Sequence, residues 1–270
     1  MKERLLELIR DADSPVHGRN IAREYLQARI LTAMQDAGTM IPLAFQGGTA
    51  LRILYDLPRF SEDLDFALEH PERGGFDLEK ISRRVLARLR REGYEVSEQI
   101  RTDRVVESLM LRFHELLHEA DLSPHVTQRL KIRIEVDTRP PEGAVLTTSI
   151  VRRHALLNLQ HHDRASLLGG KLHAVLQRTW TKGRDLFDLF WYLSDPRWPA
   201  PNLTLLNNAL AQTGWEGPDV EESTWRSMVD QKVRELDWDA VRADVEPFLE
   251  PGPHIDLFTR EHLLEMLSSP

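Results

Sequence analysis

Gly47-Gly48-Thr49-Ala50-Leu51, followed by Ser61-Glu62-Asp63-Leu64-Asp65-Phe66, sets a paired-glycine turn a short helix away from two carboxylates at i and i+2. On a strand, residues i and i+2 share a face. Asp63 and Asp65 then project together, with Leu64 and Phe66 turned to the core. Two adjacent carboxylates repel and call for a cation between them. Magnesium suits them, with manganese as a substitute, because it takes hard oxygen ligands together with substrate phosphates. The glycines permit close backbone approach, and the helix after them offers N–H groups and a positive dipole end to an anion. A phosphate binder beside a metal binder is the apparatus of nucleotide chemistry. Neither half is distinctive alone, since Asp-x-Asp also occurs at solvated strand edges and Gly-Gly in ordinary turns. The ordered combination with Arg52, Arg59 and Ser61 is the specific signal.

A third acid comes from Lys131-Ile132-Arg133-Ile134-Glu135-Val136-Asp137, which alternates polar and apolar without a fault. Its polar face offers Glu135 and Asp137. An edge strand with a salt-bridged outer face reads the same way, but an Asp-x-Asp strand elsewhere in the chain turns the reading toward function. A second constellation follows later. Lys171 and Arg178 lie seven apart on one expected helix, and Arg184, Asp185 and Asp188 open the next. Such cations can hold nucleotide phosphates and stabilise developing charge; Asp185 or Asp188 would orient Lys171 or act as an acid or base. The competing reading is two helices tied by surface ion pairs of little worth. His114-Glu115-Leu116-Leu117-His118 matches the short zinc-peptidase pattern literally, but no third ligand follows it. His161 and His162 read as exposed turn residues.

Periodicity supplies the elements that must position these groups. Residues 1–40 recur at helical spacing. Pro42 to Phe45 is a short strand into the glycine turn, and Thr49 to Tyr55 a helix that Thr49 can cap. Asp63 to Leu68 is a strand, Pro71 to Gly75 a loop, and a helix runs roughly from Asp77 to Glu92. Tyr94 opens another strand, and Arg104 to Phe113 reads as one. From about residue 150 the pattern turns helical, with helices at Ala165 to Thr179 and Arg184 to Leu193.

A chain of 270 residues can bury one large core or two modest ones. No apolar run approaches the ~20 residues of a membrane helix, and the amphipathic N-terminus is not a signal peptide. With no cysteine there is no disulfide framework, thiolate metal site or cysteine nucleophile. These features fit the cytoplasm. The net charge of −8 excludes a protein that coats nucleic acid over its whole surface. Contact with RNA would need a local patch, and Arg83, Arg84, Arg88, Arg90 and Arg91 are the sequence's candidate, against the simpler reading of a solvated helix face.

The Gly47–Arg52 and Arg59–Phe66 runs, with Lys171–Arg178 and Arg184–Leu189, resemble the nucleotidyltransferase AbiEii/AbiGii toxin family over roughly residues 40–195. The last 75 or so residues match nothing. The resemblance implies an α+β fold, in which a polymerase-beta-like nucleotidyltransferase domain with a mixed sheet spans 1–150, N-terminal helices included. A helical domain, 151–270, would complete the active-site cleft. It also implies a toxin that moves a nucleoside monophosphate from a nucleoside triphosphate to an acceptor, the tRNA 3′ end in some members, blocking translation, and a cognate antitoxin as partner. Asp63, Asp65, Lys171 and Asp188 are then the catalytic candidates. Gly47, Gly48, Thr49, Arg52, Ser61, Arg178 and Asp185 are the substrate-binding ones, and Asp63, Asp65 and Glu135 the metal ligands. Asp137 takes a position that is often Asn. Transfer to a protein hydroxyl and an inactive nucleotide-binding regulatory module are the alternatives.

Overall fold

The computed structural model describes residues 1–73, 75–178, 182–252 and 254–268. Its chain falls into two compact units, the first of residues 1–56, 60–140 and 148–161, the second of residues 57–59, 141–147 and 162–270.

The first unit is built on a mixed seven-stranded sheet. Its strands are β1 (Leu43–Gln46), β2 (Leu64–Leu68), β3 (Val96–Arg101), β4 (Val106–Phe113), β5 (Leu130–Asp137), β6 (Leu146–Arg153) and β7 (Ala155–His162). They lie in the order β3-β4-β5-β2-β1-β7-β6. β2 pairs antiparallel with β1 and parallel with β5, which pairs antiparallel with β4. The α+β class expected from the sequence is the class observed. β5 shows why the pattern forces this: Leu130, Ile132, Ile134 and Val136 are all buried, while Lys131, Arg133, Glu135 and Asp137 take the other face. Burying each such side chain contributes roughly 1.5–3 kcal/mol.

Helices α1 (Lys2–Arg10), α2 (Pro15–Asp36), α3 (Gly47–Tyr55), α4 (Leu78–Arg91) and the short α5 (Leu116–Glu119) belong to the same unit. α2 starts where Pro15 follows Ser14, whose side chain accepts from the His17 N–H. α4 is capped by Asp77 and buries Ile81, Val85, Leu86 and Leu89 as its spacing predicts.

The second unit holds α6 (Arg164–Gln177), α7 (Gly183–Leu193), α8 (Leu203–Gln212), α9 (Trp225–Glu235), α10 (Trp238–Val245), α11 (His254–Leu257) and α12 (Arg260–Ser268). A β-carbon on Gly183 would strike the Val241 carbonyl oxygen, so glycine lets α7 start hard against α10.

Three expectations need correcting. The helical character expected from about residue 150 gives way to β6 and β7, which extend the sheet beyond β1. Their alternation is diluted by exposed apolar residues, with Ile150 73 % and Leu156 60 % exposed. His161 and His162 are buried at the end of β7, not exposed in a turn; His161 Nε2 lies 2.9 Å from Ser149 Oγ and its ring meets Tyr55 edge-on. α3 starts at Gly47, two residues early, and Thr49 does not cap it. The expected helix end at Thr179 lies outside the described residues.

Candidate active site

The strand register assembles the first constellation. Asp65 pairs with Gln46 on one side and with Glu135 on the other, and Glu135 pairs with Ser108. Directly paired residues share a face, so Ser108, Glu135, Asp65 and Gln46 form a polar row across four strands. Asp63 stands one residue before β2, half-buried like Asp65, while Leu64 and Phe66 are buried beneath.

The segment that carries Asp63 is held by its carbonyls. Gln27 on α2 donates from Nε2 to the Ser61 and Glu62 carbonyls, 3.0 Å each, and the Thr49 hydroxyl donates to the Asp63 carbonyl. Thr49 is fully buried, and its side chain fixes the carboxylate loop. Ser61 contributes its carbonyl to this brace. Gln27 was missed by the sequence reading because a polar residue in a long helix looks like surface; here it is 1 % exposed.

Gly47 has φ +77°, and a β-carbon there would collide with the Asp65 carboxylate. The left-handed backbone and the missing side chain together clear space at Asp65. Gln46, at the N-cap of α3, makes no side-chain capping bond, which leaves the first-turn N–H groups to other acceptors. Gly47→Ala would add steric conflict and backbone strain at once. Its expected effect is a stability loss of about 1–3 kcal/mol with loss of nucleotidyl transfer even in the folded fraction, read by urea unfolding and a transfer assay side by side. An active, fully stable variant would show that the clearance has no role.

Arg133 is the cation of this face. Its Nη1 donates to Glu135 Oε1 at 2.9 Å. That hydrogen bond is the chief reason its guanidinium is held protonated more firmly than usual; burial opposes it, and the charges of Glu135, Asp63 and Asp65 reinforce it. Among the described residues no three His, Cys, Asp or Glu side chains form a metal-binding group. A closed protein cage is therefore absent there. The donor set does fit a cation such as magnesium that keeps several waters and takes few protein ligands: two carboxylates two residues apart, beside the clearing at Gly47. Glu135 is in register to join them but is engaged by Arg133. Asp137 pairs with Ala67 and accepts from the Arg139 N–H, away from the carboxylate row.

Arg52 is placed elsewhere in the first unit, a correction to its expected substrate-binding position. It is 3 % exposed, donates from Nε to Glu24 Oε2 at 2.5 Å, and stacks on Phe60. Burial would raise the Glu24 carboxyl, but His154, Arg52 and Arg153 together bring it down to about 2. The zinc-peptidase pattern also fails. α5 begins only at Leu116, after Glu115 at φ 56°, so His114 and His118 do not share a helical face. His114 pairs with Ser97 at 2.7 Å and His118 contacts the Ser123 carbonyl.

The second constellation lies within the second unit. Lys171 Nζ sits 2.7 Å from Asp188 Oδ2 and 3.1 Å from Asp185 Oδ1. Arg178 Nη1 reaches Asp185 Oδ2 at 2.6 Å. Arg59 grips Asp188 through Nε and Nη2, each at 2.5 Å, a bidentate fork of the kind that is strong and geometrically specific. The order Arg178–Asp185–Lys171–Asp188–Arg59 alternates in sign. The alternative of surface ion pairs does not hold, because the Asp188 side chain is 0 % exposed and Asp185 6 %. Burial would raise the Asp185 carboxyl, yet Lys171, Lys182 and Arg178 bring it down to about 2. Burial would lower the Lys171 ammonium, but Asp188 and Asp185 raise it. Lys171 is thus a fixed positive charge and Asp185 a fixed negative one; neither is set up as an acid or base near neutral pH.

The sequence family described as "Nucleotidyl transferase AbiEii toxin, Type IV TA system" matches residues 29–261. The chain belongs to the AbiEii family. It is therefore a member of a family of nucleotidyltransferase toxins, which implies a nucleoside triphosphate substrate and an antitoxin counterpart. Two solved structures share the AbiEii chain's fold: JHP933 from Helicobacter pylori (TM-score 0.53, 18 % identity, covering 92 % of this chain and 90 % of that one) and a putative nucleotidyltransferase from H. pylori (0.53, 19 %, 91 % and 91 %). A comparison with curated proteins finds no match. Among the described residues no helix is long and apolar enough to cross a membrane.

Proposed function

We propose that this AbiEii chain transfers a nucleoside monophosphate from a nucleoside triphosphate to the 3′ end of tRNA, and so blocks translation. The observation that carries the reading is the Asp63–Asp65 pair set beside the uncapped glycine start of α3. In the reaction, the acceptor hydroxyl oxygen bonds to the α-phosphorus, the bond from that phosphorus to the pyrophosphate oxygen breaks, and the hydroxyl proton passes to solvent. Asp63 and Asp65 would hold a divalent cation, magnesium by preference. When bound, that cation supplies Lewis-acid stabilisation of the phosphoryl oxygens and eases deprotonation of the hydroxyl.

The protein's own groups do the rest by placement. Gly47 and Gly48 bring backbone N–H donors to the phosphates. Gln27 and Thr49 hold the carboxylate loop rigid, which limits the reorganisation needed during reaction. In this reading Lys171, kept protonated by Asp185 and Asp188, and Arg178 are the phosphate-directed cations of the second unit. Asp185 and Asp188 act as positioning residues for these cations.

Purified protein incubated with magnesium, each labelled nucleoside triphosphate in turn, and total tRNA is expected to label tRNA with one nucleotide preferred, and chelation by EDTA to stop it. Label on protein alone would move the acceptor to a protein hydroxyl. Silence with every nucleotide and acceptor would leave a nucleotide-binding module.

A further inference from the structure

The first unit contains a hollow of about 740 Å³ whose wall includes Asp63. Six cations line it: Arg19 and Arg23 from α2, Arg112 from β4, Arg129 just before β5, and Lys131 and Arg133 on β5. Glu62 and Asp63 are the acids in the wall. In a chain of net charge −8 this concentration of positive charge is local, and a local basic patch is the footprint of a phosphate backbone.

A second hollow of about 310 Å³ shares the Met110, Arg112 and Arg133 wall and adds Arg101 and Arg104. Two adjoining basic hollows form a track, which suits a polymer; one nucleoside triphosphate would fill a single hollow. The sheet order separates the ends of such a site. The glycine turn follows β1, on one side of the carboxylate strand β2, while the hollows are walled by β5 and β4 on its other side. Donor phosphates at the glycines and acceptor phosphates in the track would approach Asp63 from opposite flanks.

The arginine helix that the sequence singled out is less suited. Arg88 is engaged by Asp36 and Glu92, and Arg83 lies near Asp77 and Glu79. Arg84, Arg90 and Arg91 of that helix are exposed but line neither hollow, whereas Arg129 and Lys131 line the larger one, are exposed and, among the described residues, make no ion pair. Such cations remain available to an incoming anion at no cost in internal pairing.

We propose that this basic track binds the phosphate backbone of a single-stranded RNA end and delivers its terminal hydroxyl to the Asp63 edge. The inference rests on the RNA-acceptor reading above. The test is fluorescence anisotropy with a labelled 12-nucleotide single-stranded RNA, comparing the wild type with R129Q/K131Q across a salt series, and calorimetry of nucleoside triphosphate binding by both. Both positions are exposed and unpaired, so the variant is expected to fold; near-UV circular dichroism checks it. We expect the RNA affinity of the variant to fall about tenfold or more, and its log K against log salt slope to flatten by about 1.4, with triphosphate binding unchanged. Unchanged RNA affinity overturns the proposal, as does an equal loss of triphosphate affinity, or a wild type that does not bind the RNA at 50 mM salt. The transfer assay fails separately. Label on tRNA from a variant of unchanged RNA affinity sinks the track and leaves the acceptor reading; RNA held through the track with label only on protein sinks the acceptor reading and leaves the track.

Discussion

Asp65→Ala is expected to lower nucleotidyl transfer at least about 1,000-fold while the chain stays folded. The magnitude follows from the several kcal/mol of charge stabilisation that a bound cation supplies in such reactions, at 1.36 kcal/mol per factor of ten. Retention of the fold follows from where Asp65 stands. It is half-buried on the polar face of β2, and the packing of that strand comes chiefly from Leu64 and Phe66 beneath it. Circular dichroism and urea unfolding of the variant, run beside the labelled-nucleotide assay, separate the two effects. A folded Asp65→Ala protein with wild-type transfer would end the assignment of Asp63 and Asp65 as the catalytic pair.

The largest stability loss is expected from Asp188→Ala. Its carboxylate is shared by Arg59 and Lys171, whose side chains are 3 % and 12 % exposed. Removing it takes a carboxylate from two buried cations at once, and Asp185, which contacts Lys171, already serves Arg178. Breaking a buried pair in this way costs about 3–5 kcal/mol, or roughly 10 °C in melting temperature for a chain of this size. Lys171→Met should be milder, because Asp185 keeps Arg178 and Asp188 keeps Arg59. The contrast discriminates the roles proposed here. A Lys171→Met protein that melts near the wild type yet transfers poorly marks Lys171 as a phosphate-facing charge. If Asp188→Ala melts unchanged, the alternating ion ladder is not a structural element.

Much of the first unit was legible because its signals are local. The strict alternation of β5 places a whole strand by itself, and the i, i+2 spacing of Asp63 and Asp65 puts them on one face whatever their neighbours. What a single sequence hides is pairing across distance. That Asp65 stands beside Glu135 depends on register between strands some 70 residues apart. Arg133 reads as one more polar residue of an alternating strand, and only its reach to Glu135 shows that it competes for the third carboxylate. Arg52 sits inside the most specific motif of the chain yet turns into the core, because Glu24, far away in sequence, supplies the buried counter-charge. β6 and β7 escaped because exposed apolar residues, Ile150 on the edge strand β6 and Leu156 on β7, blur their period.

Arg59 has a consequence for how such a chain can change. It belongs with Asp188 in the second unit, although residues on both sides of 57–59 belong to the first, and residues 141–147 make a second such excursion. Neither unit is a continuous stretch of polypeptide. A cut after His161 would keep the first unit whole but deprive the second of its arginine, and an earlier cut would divide the sheet. The gene therefore has no seam at which one recombination event could pass on a working half. Diversity in this lineage is expected to arise by substitution within fixed elements, with the whole chain inherited as one block.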